Sequence, residues 1–327
     1  MLNKLCLLNT DGTDPRHNLA LEEVLMSRTG PDEGILYLWQ NSRTVVIGRN
    51  QDPYTECRVQ TLLADGGFLV RRLSGGGAVY HDAGNVNFTF LARKEDFDVE
   101  CQTRIILDAV RSLGTNAEKN GRNDLTVQGK KFSGHAYHRG RNVCFHHGTL
   151  MLDVDMPALE RYLNVPQEKL AHKGVRSVRS RVINLKTLKP DLTPRDLKKA
   201  LADAYSAFYG LPLQELSETE LPEAEILEKE SRYSDPGWTY GRGKNMEKWI
   251  EKRFSWGSLC LGYSEEQGRI KDAALFSDGL SAEFLASVPE RLKGCRMERA
   301  SLLSALLQGG ETGPEAEDIT ALLMGGN

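Results

Sequence analysis

Residues 71–85 read RRLSGGGAVYHDAGN, in which three consecutive glycines are followed by strand-like residues and not by a helix. The P-loop and the dinucleotide-binding fingerprint both require a glycine-rich turn that opens a helix, so neither phosphate-binding motif applies. The run therefore predicts a loop between two strands, where the missing side chains allow a ligand to lie against the backbone. A β-turn with surface arginines explains the same residues equally well.

Arg71 and Arg72 end the strand-like run FLVRR. Because successive side chains of a strand alternate between its two faces, we expect the two arginines to point in opposite directions. One of them can then point into a site while the other supports the fold.

Strand-like and helical segments are interspersed along the first 240 residues without strict alternation. In VNFTFLA the alternation places Val86, Phe88 and Phe90 on one face and Asn87 and Thr89 on the other. Hairpin-joined strands with helices between them indicate an α+β fold, with a mixed β-sheet flanked by helices.

The chain has 327 residues, which exceeds the ~250–300 at which one core tends to divide, so two domains are predicted. Seven glutamates against one lysine between Glu215 and Glu230 predict a solvated helix that runs into a linker. We place the boundary near residue 240. Residues 1–240 then form the main domain, and residues 241–327 form a small α+β domain with a hairpin and two or three short helices.

A second candidate segment, NDLTVQGKKFSGHAYH, places Asn123 and Asp124 at the start of a strand and Lys130 and Lys131 one hairpin later. Lysine acts well as a point charge toward phosphate, so this segment can supply a cation where the glycine loop supplies backbone amides. A solvated Lys-Lys turn is the alternative for the pair taken alone.

Composition narrows the class of protein. The formal net charge is −3, with 42 basic and 45 acidic residues, which does not point to nucleic acid as a partner. The six cysteines are scattered without a C-x-x-C pair, which argues against a disulfide-rich secreted scaffold. No signal peptide and no long apolar span is evident, so we expect a cytoplasmic protein without a membrane segment.

The histidines invite a metal-site interpretation. His135 with His138, and His146 with His147, are close in sequence, but no third ligand has zinc-like spacing and no H-E-x-x-H motif is present. We therefore expect the histidines to support a site from behind it rather than to bind a metal.

Four ordered blocks carry a family resemblance: RRLSGGGAVYHDAGN, NDLTVQGKKFSGHAYH, FHHGTLMLDVD and KGVRSVRSRVINL. Together they resemble the signature blocks of the lipoate–protein ligase family, and RFSWGSLCLGYSEEQGRIKDAALFSDGL is similar to the family's C-terminal accessory domain. The resemblance implies the fold shared with biotin protein ligases and related to the catalytic domain of class II aminoacyl-tRNA synthetases.

The resemblance also implies a reaction. Such enzymes use ATP to convert (R)-lipoate to lipoyl-AMP and pyrophosphate, and then transfer the lipoyl group to a lysine of an apo lipoyl-carrier domain. The expected acceptors are the glycine-cleavage H protein and the acyltransferase subunits of 2-oxoacid dehydrogenases. We expect a monomer, and Mg²⁺ on the ATP phosphates, because the departing pyrophosphate must be neutralised.

The resemblance assigns roles residue by residue. Lys131 would bridge the lipoyl carboxylate and the α-phosphate, and would later polarise the acyl carbonyl. Asp124 would orient the metal or the nucleotide, and His81 is either a lipoate contact or a structural histidine. ATP would be held by Arg72, Gly77, Ala78, Val79 and Tyr80, and the acyl-adenylate would pass close to Gly75 and Gly76.

Two alternatives stay open. One is an ATP-independent octanoyl- or lipoyl-transferase of the same fold that uses a cysteine thioester, for which Cys144 is the candidate. The other is a binding module for lipoate or its carrier that has lost the activation step.

Two local features leave details undecided. His135 and His138 stand where the family often has a small residue and an arginine. The seven basic residues between 169 and 189 form either a solvated loop or a landing surface for an acidic acceptor; they are Lys169, Lys173, Arg176, Arg179, Arg181, Lys186 and Lys189.

Overall fold

The computed structural model describes residues 2–121, 123–164, 181–241, 246–308 and 313–325. The strands of these residues are β1 (Lys4–Asn9), β2 (Glu33–Trp39), β3 (Thr44–Ile47), β4 (Phe68–Arg71), β5 (Val79–His81), β6 (Asn85–Arg93), β7 (Ala117–Asn120), β8 (Asp124–Val127), β9 (Lys130–Arg139), β10 (Val143–Met151), β11 (Leu213–Leu216), β12 (Lys248–Phe254), β13 (Gly257–Glu266) and β14 (Arg269–Ser277).

The helices of the same residues are α1 (Pro15–Arg28), α2 (Pro53–Glu56), α3 (Val59–Ala64), α4 (Val99–Ser112), α5 (Met156–Tyr162), α6 (Pro194–Tyr209), α7 (Glu223–Ser234), α8 (Pro236–Tyr240), α9 (Ala282–Leu292), α10 (Arg299–Leu307) and α11 (Glu315–Leu323). Short 3₁₀ turns occur at Leu185–Thr187 and Glu218–Glu220.

The main sheet has eight strands in the order β11-β1-β2-β6-β10-β9-β8-β7. β1 runs parallel to β2 and β11, whereas β2, β6, β10 and β9 are successively antiparallel. The mixed sheet confirms the α+β prediction. A smaller sheet of β4-β3-β5 carries the segments on both sides of the glycine run.

Helices cover both faces of the main sheet. One face packs against α4 and α6, with Phe88 and Phe90 in the shared core, and the other packs against α1. The alternation predicted for β6 is confirmed, because Thr89 reaches the α1 side and hydrogen-bonds Glu22. Both faces of β6 are buried, so the polar face of this strand is internal.

Local signals in the sequence explain where several elements begin and end. A capping box between Thr193 and Asp196 starts α6, and Gly210 ends it with φ 66°. The turn between β8 and β9 has positive φ at Gln128 (51°) and Gly129 (71°), as a tight type I′ hairpin requires.

The acidic segment forms the predicted helix, but one face of this helix is buried and not solvated. Helix α7 packs on α1 and buries Ile226 and Tyr233 in the core of that face. Two of the glutamates also connect this segment to α1, because the His17 side chain hydrogen-bonds both Glu218 and Glu230. The high number of glutamates obscured these two core residues, because most of the positions around them are charged or polar.

The C-terminal region has a core of its own. The sheet β12-β13-β14 packs against α9, α10 and α11 around a separate group of buried residues. It contacts the rest of the protein through backbone groups: Gly76 N donates to Gly279 O at 3.1 Å, and Ser277 N donates to Asn50 O at 2.8 Å. The domain boundary near residue 240 stays a prediction.

Candidate active site

Two connected cavities lie between the main sheet and the small sheet. The inner cavity has a volume of about 120 Å³, and Leu19, Trp39 and Val46 are among its apolar lining residues. The outer cavity has a volume of about 290 Å³ and has charged residues in its wall. The residues that line both are Gly77, Ala78, Val79, Asn123, Lys131 and Thr149.

Lys131 lies where the two cavities join. Its Nζ is 2.6 Å from Asp124 Oδ1, and the lysine side chain is 29% exposed. The predicted proximity of this ammonium to the glycine loop is therefore seen, because Gly76 and Gly77 line the same inner cavity as Lys131.

A β-bulge sets the direction of the Lys131 side chain. Pairing between β8 and β9 shifts between Leu125–Ser133 and Thr126–Lys131, so Phe132 is the extra residue. Because of the extra residue, Lys131 and Gly134 share one face of the strand: a Cβ added to Gly134 would lie 2.7 Å from Lys131 Nζ. Plain alternation would have placed these two residues on opposite faces.

Both arginines before the glycines are buried, so neither is the exposed turn residue of the simpler interpretation. Arg71 donates to backbone oxygens that include Gly48 O and Gln51 O. Arg72 donates through Nη2 to Gly75 O at 2.5 Å and Gly77 O at 2.9 Å. Burial lowers the pKa of Arg72, an effect that nearby Glu22 opposes. Arg72 lines the inner cavity and braces the loop; its contact with ATP stays a prediction.

The three glycines have different environments. A Cβ on Gly75 would lie 2.3 Å from Gly279 O, so this residue makes room for the C-terminal region and is not among the described residues that line the two cavities. Gly76 has φ 86°, a conformation that favours glycine. Gly77 faces open space. A direct lipoate contact by Gly75 stays a prediction.

Ala78, Val79 and Tyr80 continue from the glycines along the wall of the outer cavity. Tyr80 is 5% exposed and its ring centroid lies 5.6 Å from that of Tyr162. The nucleotide contacts predicted for these residues stay predictions, but all three lie in the outer cavity.

Two buried N–H groups of the inner cavity have no hydrogen-bond partner among the described residues. They are His81 Nε2 and Asn87 Nδ2, and both side chains line the cavity. The other polar atom of each side chain accepts a hydrogen bond. Asn41 Nδ2 donates to His81 Nδ1 at 3.2 Å, and Asn85 Nδ2 donates to Asn87 Oδ1 at 2.7 Å. Burial lowers the pKa of His81 to about 3, with smaller effects from Arg72 and His147, so the ring is neutral at pH 7.

The other histidines form hydrogen-bonded chains. His146 Nδ1 contacts Gln102 Oε1 at 3.0 Å and its Nε2 contacts His135 Nδ1 at 3.0 Å. Burial lowers the pKa of His135 to about 3 and that of His146 well below 6.5. Within the described ranges, no group of three His, Cys, Asp or Glu residues is placed to hold a metal ion. His138 instead pairs with Glu283 of α9.

Sequence reasoning missed several residues of the site. Asn87, Asn123 and Thr149 line the inner cavity, and Glu22 and Ser74 lie directly behind it. Asn87 could have been found from the sequence, because it is a polar residue between apolar neighbours in a strand-like run. Glu22 left none, since an amphipathic helix is expected to carry glutamates.

The outer wall of the outer cavity carries charges from four parts of the chain: Glu56, Asp124, Arg181, and Arg253 with Asp278. Arg253 Nη1 donates to Ser258 Oγ at 2.6 Å. Of the basic segment, Lys169, Lys173, Arg176 and Arg179 lie outside the described residues. Lys186 pairs with Asp153 at 3.1 Å.

Cys144 does not have the environment of a reactive thiol. It is 1% exposed, and burial raises its pKa, which disfavours the thiolate. It is not among the described residues that line the two cavities. The described helices include none that is long and apolar enough to cross a membrane.

The chain is similar in sequence and in structure to known proteins. Residues 14–206 match the family model described as lipoyl protein ligase A/B catalytic domain, and residues 245–323 match bacterial lipoate protein ligase C-terminus. Lipoate-protein ligase A of Psychrobacter cryohalolentis is 37% identical, and the alignment covers 98% of each chain.

Two solved structures show the same architecture. LipL1 of P. falciparum in complex with lipoate superposes with a TM-score of 0.86 at 27% identity, covering 98% of this chain and 99% of the other. A lipoate-protein ligase A bound with ATP gives a TM-score of 0.64 at 27% identity, covering 74% of this chain and 99% of the other.

Proposed function

Because the chain belongs to the lipoate–protein ligase family, we propose that it activates lipoate with ATP to lipoyl-AMP and then transfers the lipoyl group to a carrier protein. It is a ligase enzyme. The ATP-dependent route, the acceptor and the roles of individual residues are our proposal. The observation that carries it is the position of Lys131 at the junction of the inner and outer cavities, beside the apolar wall of the first and the charged wall of the second.

The inner cavity suits the acyl chain of lipoate. Its narrow volume and its apolar lining by Leu19, Trp39 and Val46 match an unbranched chain that ends in a carboxylate. The carboxylate then lies at the open end, beside the Lys131 ammonium. The outer cavity takes the nucleotide, with Val79 and Tyr80 offering apolar surface to the base.

The first step joins the two substrates. A carboxylate oxygen of lipoate attacks the α-phosphorus of ATP, the bond from that phosphorus to the bridging oxygen breaks, and pyrophosphate leaves with the electron pair. The ammonium of Lys131 stabilises the charge that develops on the α-phosphate oxygens. The leaving group departs in line, on the far side from the carboxylate, toward Arg181 and Arg253.

A divalent cation fits this site as a companion of the nucleotide. Mg²⁺ is commonly held by one or two carboxylates together with substrate phosphates, and Asp124 in the outer cavity is such a carboxylate. When bound there it supplies neutralising charge for the departing pyrophosphate.

In the second step the ε-amine of the acceptor lysine attacks the acyl carbonyl of lipoyl-AMP. AMP leaves with the electron pair of the acyl–oxygen bond, and the amide, which keeps one N–H, forms once the attacking nitrogen has lost one proton. Lys131 polarises the carbonyl oxygen from the same position. We propose apo lipoyl-carrier domains as acceptors: the glycine-cleavage H protein and the acyltransferase subunits of 2-oxoacid dehydrogenases.

The test is mass spectrometry of an apo carrier domain after incubation with the protein, lipoate, ATP and Mg²⁺. The proposal expects the mass gain of one lipoyl group, dependent on ATP and lost in Lys131→Ala. Modification without ATP would overturn the adenylate route, and no modification of any carrier domain would leave a binding module as the better description.

A further inference from the structure

Four buried polar side chains form a continuous hydrogen-bonded chain from helix α1 to the glycine loop. Glu22 Oε1 accepts from His147 Nδ1 at 2.8 Å, and His147 Nε2 lies 2.7 Å from Ser74 Oγ. Arg72 Nε donates to Ser74 Oγ at 2.9 Å. The exposed fractions of these residues are 2%, 7%, 0% and 5% in the order Glu22, His147, Ser74 and Arg72.

The ends of the chain fix the direction of its outer hydrogen bonds. Arg72 can only donate, and the carboxylate of Glu22 can only accept. Ser74 Oγ therefore accepts from Arg72 Nε, and His147 Nδ1 donates to Glu22. The Ser74 hydroxyl can then donate to His147 Nε2, and in that arrangement the ring carries its single proton on Nδ1.

A serine, histidine and glutamate in contact suggest a hydrolytic triad, but the geometry excludes that use. Ser74 Oγ already accepts from Arg72, and Ser74 is fully buried and is not among the described residues that line the two cavities. A nucleophile must be able to reach a substrate. The arrangement is therefore structural support for the loop.

The chain ends on the loop that lines the inner cavity. The Nη2 atom of Arg72 holds the carbonyl groups of Gly75 and Gly77, so the position of the guanidinium sets the path of the loop. Glu22 is also the carboxylate whose charge opposes the effect of burial on Arg72. Uncompensated buried charge strongly destabilises a fold, so the loop depends on this carboxylate.

We propose that Glu22 is a positioning residue of the reaction, which acts through His147, Ser74 and Arg72 to hold the glycine loop against the bound acyl chain. Glu22 is not among the described residues that line the cavities, so it acts without touching substrate. This role rests on the proposed function only in naming lipoate as the ligand that the loop contacts.

The first test is made on the protein without substrates. In protein with ¹⁵N-labelled histidine, the His147 resonance is assigned by its loss in His147→Gln. The proposal expects a neutral ring protonated on Nδ1, and a shift of the Nδ1 resonance in Glu22→Gln, because the acceptor that faces this nitrogen loses its charge. A wild-type ring protonated on Nε2, or on both nitrogens, would overturn the chain of hydrogen bonds.

The second test measures formation of lipoyl-AMP at varied lipoate concentrations. Glu22→Gln is expected to raise the KM for lipoate about tenfold, whereas the KM for the acceptor domain is unchanged, and Glu22→Asp restores part of the loss. Ser74→Ala, which breaks the chain without removing a charge, is expected to raise the same KM. Wild-type values of this KM in both variants would overturn the proposal.

Thr29→Val is the matched control. Thr29 is 3% exposed at the other end of α1, and its hydroxyl bonds Leu25 O at 2.8 Å, away from the cavities. It is expected to lower thermal stability without changing the KM for lipoate. A wild-type protein that forms no lipoyl-AMP would defeat the proposed function alone, because the histidine tautomer is read without substrates.

Discussion

The ammonium nitrogen of Lys131 lies 2.6 Å from a carboxylate oxygen of Asp124, across the hairpin that joins β8 and β9. The tight turn at Gln128 and Gly129 fixes the register of this pair, and the bulge at Phe132 turns the lysine toward the cavities. The proposed catalytic charge is thus held by two strands and not by a loop.

Lys131→Ala is expected to lower the rate of lipoyl-AMP formation about 100- to 1,000-fold, the usual effect of removing one electrostatic group that stabilises a transition state. The measurement is lipoate-dependent exchange of labelled pyrophosphate into ATP. Lys130→Ala is the control, because Lys130 is exposed and is not among the described lining residues of the two cavities. Equal loss in both variants would assign the effect to the hairpin and not to the ammonium.

Gly134→Ala is expected to lower the adenylation rate about tenfold while the protein stays folded, since effects of this size follow small displacements of a catalytic group. The added Cβ would lie 2.7 Å from Lys131 Nζ, and the flexible end of that side chain can move away. Gly12→Ala is the control, because no atom lies within 4 Å of its added Cβ. The idea fails if Gly134→Ala keeps full activity with an unchanged melting temperature.

Asn87→Leu is expected to reduce the preference for lipoate over octanoate. Asn87 Nδ2 and His81 Nε2 have no partner among the described residues, and leaving a buried donor unpaired costs about 1–3 kcal/mol. Dithiolane sulfurs accept weak hydrogen bonds, whereas the methyl end of octanoate accepts none. The ratio of kcat/KM values should fall about tenfold, since 1.4 kcal/mol is a factor of ten.

Asn85→Ala is the control for this comparison, because it removes the Asn85–Asn87 hydrogen bond and keeps the unpaired donor. It should affect both acids equally. A preference for lipoate that survives Asn87→Leu unchanged would mean that the two donors do not contact the dithiolane.

The free energy of unfolding is expected to fall as the pH drops below about 6.5. Burial lowers the pKa of His81 and His135 to about 3 and lowers that of His146 well below 6.5, whereas unfolded histidines titrate near 6.5. Between these values the unfolded chain binds more protons than the folded one, so acid favours unfolding. Each of these histidines can lower the free energy of unfolding by up to about 1.4 kcal/mol for each pH unit below 6.5.

Urea unfolding at several pH values between 7 and 5 measures this slope. His81→Asn should reduce the decrease in the free energy of unfolding between pH 7 and pH 5 by the contribution of one histidine. His17→Asn should act in the opposite sense: burial lowers the His17 pKa, but Glu230 and Glu218 outweigh it and leave the pKa raised. The folded state therefore gains stability from protonating His17 as the pH falls from the raised pKa to 6.5, so removal of His17 takes away that gain and leaves the slope below pH 6.5 unchanged. A flat profile in the wild type would contradict the prediction.

Cys144→Ser is expected to retain ligase activity within about twofold, since Cys144 is not among the described residues that line the two cavities and a buried, protonated thiol is a poor nucleophile. The thiol is buried, and its pKa is raised by that burial. The assay is ATP-dependent lipoylation of an apo carrier domain. Complete loss of activity in a folded Cys144→Ser protein would revive the thioester transferase.

Much of the fold could be read from local patterns. The ends of helix α6 can be read from the sequence, because the Thr193 cap and the Gly210 stop are single-residue signals. The pairing of strands could not be read in this way: β2 and β3 are adjacent in sequence, yet they belong to different sheets. Alternation gives the two faces of a strand and does not say which strand lies beside it.

The site was predictable where a residue type has one dominant use. Lys131 and the glycines stood out, whereas the direction of Lys131 depends on the extra residue at Phe132, which has no sequence signature. Glu22 acts from a helix that is remote in sequence, so its part in the site is a product of tertiary packing.

The contact between Gly75 and Gly279 restricts how this enzyme can be recombined with its relatives. A side chain at Gly75 would strike Gly279 O at 2.3 Å, and a side chain at Gly279 would press on Leu285 at 2.7 Å. Gly75 faces backbone atoms of the C-terminal region, so a side chain at Gly75 would have no flexible group to displace. Chimeras that exchange the C-terminal region should therefore keep both glycines together, as one inherited unit.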